Sequence, residues 1–200
     1  YSMKLVLATQ NPKKLKEMNE ILSHLGVEVV SEAELGVRIE VEETGDTFTD
    51  NARLKATAVM QATGLPAVAD DSGLCVDALN GGPGVYSARF GGEGLDDKGR
   101  YTLLLEMLRG QTDRAAHFHT SIVCAFPNGD ELVCEGECPG TIAFAPMGEG
   151  GFGYDPVFFV PELRKTFGQL TAEEKASVSH RGKALRAFAA ALDDYLKGNE

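Results

Sequence analysis

No stretch of this chain stays apolar for the ~20 residues that a helix needs to cross a bilayer. No secretory leader stands ahead of Lys4, where a strand-like Leu5-Val6-Leu7 begins directly. The expectation is a soluble, cytoplasmic protein with no membrane partner. Cysteine is scarce: Cys75, Cys124, Cys134 and Cys138 lack the paired two-residue spacings of a zinc ribbon, and no His follows Cys138 closely enough to complete a finger. They are expected to be buried thiols. Positive charge is short as well, with 19 Lys and Arg against 30 Asp and Glu and a net charge of -11. That balance opposes binding to nucleic acid, which depends on many Lys and Arg contacts releasing counterions. A small anion is still admissible if a few cations converge and a divalent metal offsets the remaining repulsion. Repeats, low-complexity segments and Pro/Ser-rich linkers are missing, as are the glycine spacings of dinucleotide and P-loop sites. A single domain over 3–200 is expected, with Tyr1-Ser2 ahead of Met3 reading as a vector-derived remnant.

What is present is an ordinary globular composition, 43% hydrophobic and 24% charged, enough for one sizeable core or two small lobes. Residues 4–8 read as a strand. Leu15, Met18, Leu22 and Leu25 recur at helical spacing over 12–25, with Asn11 as N-cap and Pro12 as the first helical residue. Lys13 and Lys14 then fall in the first turn, where the helix dipole disfavours cations. Either they are solvated, or an anion bound at the free amides of that turn makes them favourable neighbours. A strand over 27–30 leads to an acidic loop carrying Glu40, Glu42, Glu43 and Asp46, and a helix over 48–62 is capped by Asp46 or Thr47. Asn51 and Lys55 share one face of that helix.

Residues 80–99 hold seven glycines and read as a long irregular segment, functional or mobile. A helix over 101–108, a strand over 115–126, a turn at Pro127-Asn128-Gly129-Asp130 and a returning strand over 131–135 follow, so the sheet is mixed. His117 and His119 alternate onto one face of the first of these strands. With no third ligand nearby in sequence, structural roles are expected. Thr171-Ala172-Glu173-Glu174 is a capping box opening a short helix, and Leu185, Phe188, Leu192 and Leu196 stripe a closing helix. Ser177 to Lys183, between them, reads as a polar loop: a basic surface patch or a holder of base or phosphate.

Asp70-Asp71-Ser72-Gly73 closes the apolar run Leu65-Pro66-Ala67-Val68-Ala69 with two acids followed by turn formers. An Asx turn leaving a strand would account for one such acid. Two adjacent carboxylates repel, and Mg²⁺, which prefers hard oxygen ligands, would relieve that repulsion. The layout is that of a strand's carboxyl end, beyond which open α/β sheets usually bind ligands.

Five blocks in order, Ala8-Thr9-Gln10-Asn11-Pro12-Lys13-Lys14, Glu42-Glu43-Thr44-Gly45, Ala69-Asp70-Asp71-Ser72-Gly73-Leu74, Gly151-Phe152-Gly153-Tyr154-Asp155-Pro156, and Glu174-Lys175 with Ser179-His180-Arg181-Gly182, resemble the Ham1/RdgB-like inosine triphosphate pyrophosphatase family from Lys4 to about Ala190. The resemblance implies an α/β fold: an elongated mixed sheet flanked by helices, with two lobes around a central nucleotide cleft, in a homodimer. It implies Mg²⁺-dependent hydrolysis of non-canonical purine triphosphates (ITP, dITP, XTP) between the α- and β-phosphates, giving monophosphate and pyrophosphate. On matching positions, Thr9, Asn11, Lys14 and Lys55 would bind the triphosphate. Asp71 would be the catalytic acid and metal ligand, with Glu42 and Asp70 supporting the metal and Ser72 binding substrate. Phe152 would stack on the purine, with Gly153, Tyr154, Asp155, Lys175, His180 and Arg181 around it. Gln10 departs from the family's usual glycine and could narrow the phosphate site or add a donor. The rivals are a Maf-like pyrophosphatase, a haloacid-dehalogenase-like phosphatase, whose second acid two positions on is missing here, and a nucleotide sensor without turnover.

Overall fold

The computed structural model describes residues 3–199, so the reading of Tyr1-Ser2 lies outside the described residues. The chain is a mixed α/β fold. In order it forms β1 (Met3–Leu7), α1 (Pro12–Leu22), β2 (Val27–Ser31), α2 (Phe48–Thr63), β3 (Ala67–Val76), β4 (Gly82–Pro83), α3 (Asp97–Met107), β5 (Ala115–Ala125), β6 (Glu131–Ile142), β7 (Phe158–Val160), β8 (Lys165–Thr166), α4 (Ala172–Val178) and α5 (His180–Gly198). The strands make an eight-stranded sheet in the order β2-β1-β3-β5-β6-β7-β8, with β4 paired to β3. β1 lies parallel to β2 and β3, whereas β3–β4, β6–β7 and β7–β8 are antiparallel. Among the described residues no helix is long and apolar enough to cross a membrane.

The chain divides into two compact units, 1–71 with 120–136 and 183–200, and 72–119 with 137–182. In the first, β1 is buried on both faces. Leu5 and Leu7 pack with Met18 and Leu22 of α1 and with Leu185, Phe188 and Leu192 of α5, while Val6 packs with Val59 of α2. A strand covered on both sides reads as a continuous apolar run, which is why Leu5-Val6-Leu7 shows no alternation. Ala52 and Ala56 give α2 a small-residue stripe against Ala69, Val123 and Ala125. In the second unit, Leu74, Val76, Leu104 and Leu108 surround an aromatic cluster in which Phe118 and Phe158 lie 4.5 Å apart and Phe158 and Phe167 4.9 Å. Arg114, 9% exposed, donates to the carbonyls of Leu108, Ile142 and Ala143, satisfying acceptors that would otherwise be costly to bury.

Several sequence expectations are corrected. Asp70-Asp71-Ser72-Gly73 is not a turn at a strand's end: β3 runs through it for ten residues, because apolar burial resumes at Leu74 and Val76 and Cys75-Val76 pair with Gly82-Pro83. The 80–99 segment is largely organised by β4 and by a 3₁₀ helix over Gly84–Arg89. α3 begins at Asp97, four residues before the expected 101, because the Asp96 side chain caps it by accepting from the Gly99 amide. β6 extends past 135 to Ile142. Ser177 to Lys183 is not a loop but the end of α4, a break at Ser179 and the first turn of α5, where Ser179 Oγ accepts from the Gly182 amide. Of the four thiols only Cys124 and Cys138 are buried; Cys75 and Cys134 are partly exposed.

Candidate active site

In the first unit, Asn11 caps α1 as expected, its Oδ1 accepting from the Lys13 amide at 2.9 Å, while Thr9 Oγ1 accepts from the Asn11 amide at 3.2 Å. No acid occupies the first turn of α1, so its positive end stays uncompensated by the chain. Lys14 projects from that turn to Asp70, with Nζ 3.2 Å from Oδ2. Asp70 is only 7% exposed, and its carboxylate helps to fix Lys14. Lys55 reaches from α2 to the Asp70 carbonyl at 2.7 Å and to Glu43 Oε1 at 2.9 Å. Two cations, Lys14 and Lys55, and two acids, Asp70 and Glu43, of distant sequence thus share one neighbourhood.

Asp71 is the electrostatic centre of this set. Burial pushes its carboxyl up to about 6, and the charges of Glu43 and Asp70 add to the rise, while Lys55 and the Asn51 amide oppose it. Asn51 lies close enough to favour the ionised form without closing a hydrogen bond of good geometry. Asp71 Oδ2 and Asn51 Nδ2 are both buried and meet no hydrogen-bond partner among the described residues. A buried carboxylate oxygen with no donor is suited to a hard cation. The carboxylates do not converge into a closed cage, since Asp70, Asp71, Glu42 and Glu43 form no group of three ligand atoms within 4.8 Å among the described residues. Mg²⁺ does not require one, because it is usually held by one or two carboxylates plus substrate phosphates and water.

The loop that carries the acids of the 42–45 block is latched at Gly45. Its amide donates to Asn51 Oδ1 at 2.8 Å, and a Cβ at 45 would come within 2.7 Å of Asp50 Cβ and 2.8 Å of that same oxygen. With the loop latched there, Glu43 turns toward Lys55 and Asp71, and Glu42 stays exposed. Glu43 and Asn51 are therefore candidate site residues that the sequence reading did not name; the signals were that Glu43 stands in the 42–45 block and that Asn51 shares a helix face with Lys55. Gln10 does not fill the site: its amide donates to Glu32 Oε2 at 2.9 Å on the wall of a pocket of about 150 Å³ that Thr9 and Lys55 also line.

In the second unit, Phe152 stands 72% exposed, an unusual setting for a large aromatic ring. Lys175 places Nζ 4.6 Å from its ring centre and is held there by Asp155 at 2.6 Å. Asp155 is buried, which raises its carboxyl against the opposing effect of Lys175, and it also accepts from the Phe152 amide at 3.0 Å. Gly151 has φ +74°, and a Cβ there would meet Asp155 Oδ2 at 2.0 Å, so only glycine fits. Tyr154 packs in the core with its hydroxyl donating to the Ser87 carbonyl at 2.6 Å, and Asp97 accepts from the Gly153 amide at 2.9 Å. Tyr154 and Asp155 thus build the loop that presents Phe152 and Lys175. Ser87 and Asp97, read earlier only as part of an irregular segment, anchor it. His180 stacks on Phe118 at 4.7 Å and 16°, while Arg181 is partly exposed and Ser72 exposed.

The chain is similar to known proteins over nearly its whole length. The sequence matches the Ham1 family over residues 5–191. A dITP/XTP pyrophosphatase from an Exiguobacterium strain is 50% identical over 98% of this chain and all of its own length, and one from a strain of Thermus thermophilus is 53% identical over 96% and 93%. Among solved structures, a Ham1 protein from Coxiella burnetii is 43% identical with a TM-score of 0.92 over 96% of this chain and 99% of that one. The Ham1 protein of Staphylococcus aureus is 41% identical with a TM-score of 0.90 over 98% and 100%.

Proposed function

Since the chain belongs to the Ham1 family, we propose that it hydrolyses non-canonical purine nucleoside triphosphates, ITP, dITP and XTP, to the monophosphate and pyrophosphate, removing them from the nucleotide pool. The observation that carries the reading is Asp71: a carboxylate raised to about 6, with one oxygen lacking any donor, between Lys55 and two further acids. In the metal-free site the raised value makes Asp71 a stronger base than an ordinary carboxylate, suited to accept a proton from water as it attacks phosphorus; a cation held by the same carboxylate would lower that value again. Thr9, Asn11 and the first-turn amides of α1 bind the triphosphate, with Lys14 and Lys55 held in place by Asp70 and Glu43 to meet its charge. Asp71 and the Glu42–Glu43 pair would hold Mg²⁺, which when bound screens the phosphates and stabilises developing charge.

Base selection falls to the second set. Phe152 supplies a stacking face, and Lys175, Arg181 and His180 supply donors. Hypoxanthine and xanthine carry a carbonyl at C6, which satisfies such donors; adenine carries an amino group there and leaves them unpaired. The same reading makes the protein a cytoplasmic homodimer.

The test is pyrophosphate release from dITP, ITP, XTP, ATP and GTP, each with and without Mg²⁺, identifying mono- against diphosphate products. Mg²⁺-dependent pyrophosphate release from the first three, with little from ATP or GTP, is expected. Orthophosphate with a diphosphate product would move the scissile bond and refute the mechanism.

A further inference from the structure

His117 and His119 lie two apart on β5, so both point away from Phe118, which is buried in the core of the second unit. Glu137 on the neighbouring β6 likewise points opposite to its buried neighbour Cys138. The three side chains therefore meet on one face. His119 Nδ1 lies 3.0 Å from Glu137 Oε1 and His117 Nε2 lies 4.0 Å from it, with all three ligand atoms within 4.8 Å of one another. No third ligand stands near this His pair along its own strand; the hairpin provides one.

We propose that His117, His119 and Glu137 form a second metal site, specific for a borderline transition ion of the Zn²⁺ class and separate from the residues assigned to hydrolysis. Two imidazoles and one carboxylate are a donor set that suits Zn²⁺ and disfavours Mg²⁺, which prefers all-oxygen surroundings. Bonds of ~2.0–2.1 Å in a tetrahedron separate ligand atoms by about 3.3–3.4 Å, so rotamer-scale adjustment closes the site around an ion. Both histidines are partly sheltered, with side chains 33% and 14% exposed, while Glu137 opens the site to solvent at 57%. Three protein ligands leave one position for water. Cys75 on the adjoining β3 lies near enough for the charge of Glu137 to contribute to the rise of its thiol, after burial, to about 11. A cation there would reverse that influence. Bound metal would fasten β5 to β6 within this unit.

The experiment uses tag-free protein stripped with chelator and dialysed, with Zn²⁺ alone as the probe, read by equilibrium dialysis and by thermal denaturation. Wild type should bind one Zn²⁺ per chain and melt at higher temperature with it. His117→Ala/His119→Ala should lose at least about tenfold in affinity and the thermal gain. Its circular dichroism and its dITP hydrolysis in Mg²⁺ should stay at wild-type level. The milder His117→Gln, at the more exposed position, should weaken binding without any question of folding. Absence of binding at a fewfold molar excess, or binding unchanged in the double variant, would overturn the proposal. Neither result depends on turnover, so the hydrolytic function stands or falls separately.

Discussion

Replacing Asp71 with Asn should make the metal-free protein more stable while abolishing its activity. The wild-type carboxyl titrates near 3.8 in an unfolded chain and at about 6 in the folded one. Between those values the folded state binds more protons than the unfolded state, so stability falls as pH rises through the interval. The penalty is absent well below 3.8, builds from about pH 4 to 6 and is complete above about 7. A shift of about two units corresponds to ~3 kcal/mol, which the solvent still reaching a half-buried side chain reduces to about 1–2 kcal/mol. Asp71→Asn removes the ionisation, so at pH 8 in chelator its Tm should exceed wild type by about 2–6 °C for a chain of this size. By pH 5 the gain should shrink to about half. Added Mg²⁺ should raise the wild-type Tm and leave that of the variant unmoved, because only the former keeps the ligand. The assay is a set of thermal melts from pH 5 to 8, with chelator or Mg²⁺, beside pyrophosphate release. A variant less stable than wild type at pH 8, or a gain that grows toward pH 5, would refute the electrostatic reasoning.

Lys14→Met leaves Asp70 buried without its 3.2 Å partner and should destabilise by about 1–3 kcal/mol, discounted for the partial exposure of the lysine. Adding Asp70→Asn should recover most of that loss in denaturant melts without restoring turnover. Gly45→Ala should unlatch the loop from Asn51 and lower kcat by an order of magnitude or more, with ~1 kcal/mol or less lost in stability; unchanged kcat would show that Glu43 does not need that loop. Phe152→Ala removes an exposed ring, so the melting curve should move by no more than about 0.5 kcal/mol. The KM for dITP should nevertheless rise through the loss of about 1–3 kcal/mol of base stacking. An unchanged KM would remove Phe152 from base recognition.

Features whose cause is local were legible in the sequence. The caps at Asn11, Thr47 and Thr171 depend on residues two or three positions away, and the corresponding helices begin where the cap chemistry places them. β3 was misread because Asp-Asp-Ser-Gly has turn chemistry, whereas its conformation is set by burial on either side and by pairing with Gly82-Pro83. Glu42 and Glu43 are indistinguishable as adjacent acids in sequence; in the fold Glu43 pairs with Lys55, in a loop whose Gly45 amide donates to Asn51, and Glu42 is exposed. The His117–His119–Glu137 cluster had a usable signal. Residues equidistant from Asn128 meet across the hairpin, as Ser121 meets Glu135, and that rule sets Glu137 beside His119. The histidines were read along one strand only, so their neighbour across it was missed.

The boundaries between the two compact units fall within β3, β5, β6 and α5, and this constrains how the protein is made. Leu5 and Leu7 are synthesised long before the α5 residues that complete their core, Leu185, Phe188 and Leu192. At ordinary translation speeds the early strand waits roughly 10–40 s for its α5 partners. β2 and β3 are made early enough to pair with β1 well before then, but until α5 is made the Leu5 and Leu7 face that it covers stays exposed apolar surface of the kind that chaperones recognise and that aggregates when concentrated. Synthesis rate and chaperone supply, more than final stability, should therefore govern the yield of this protein.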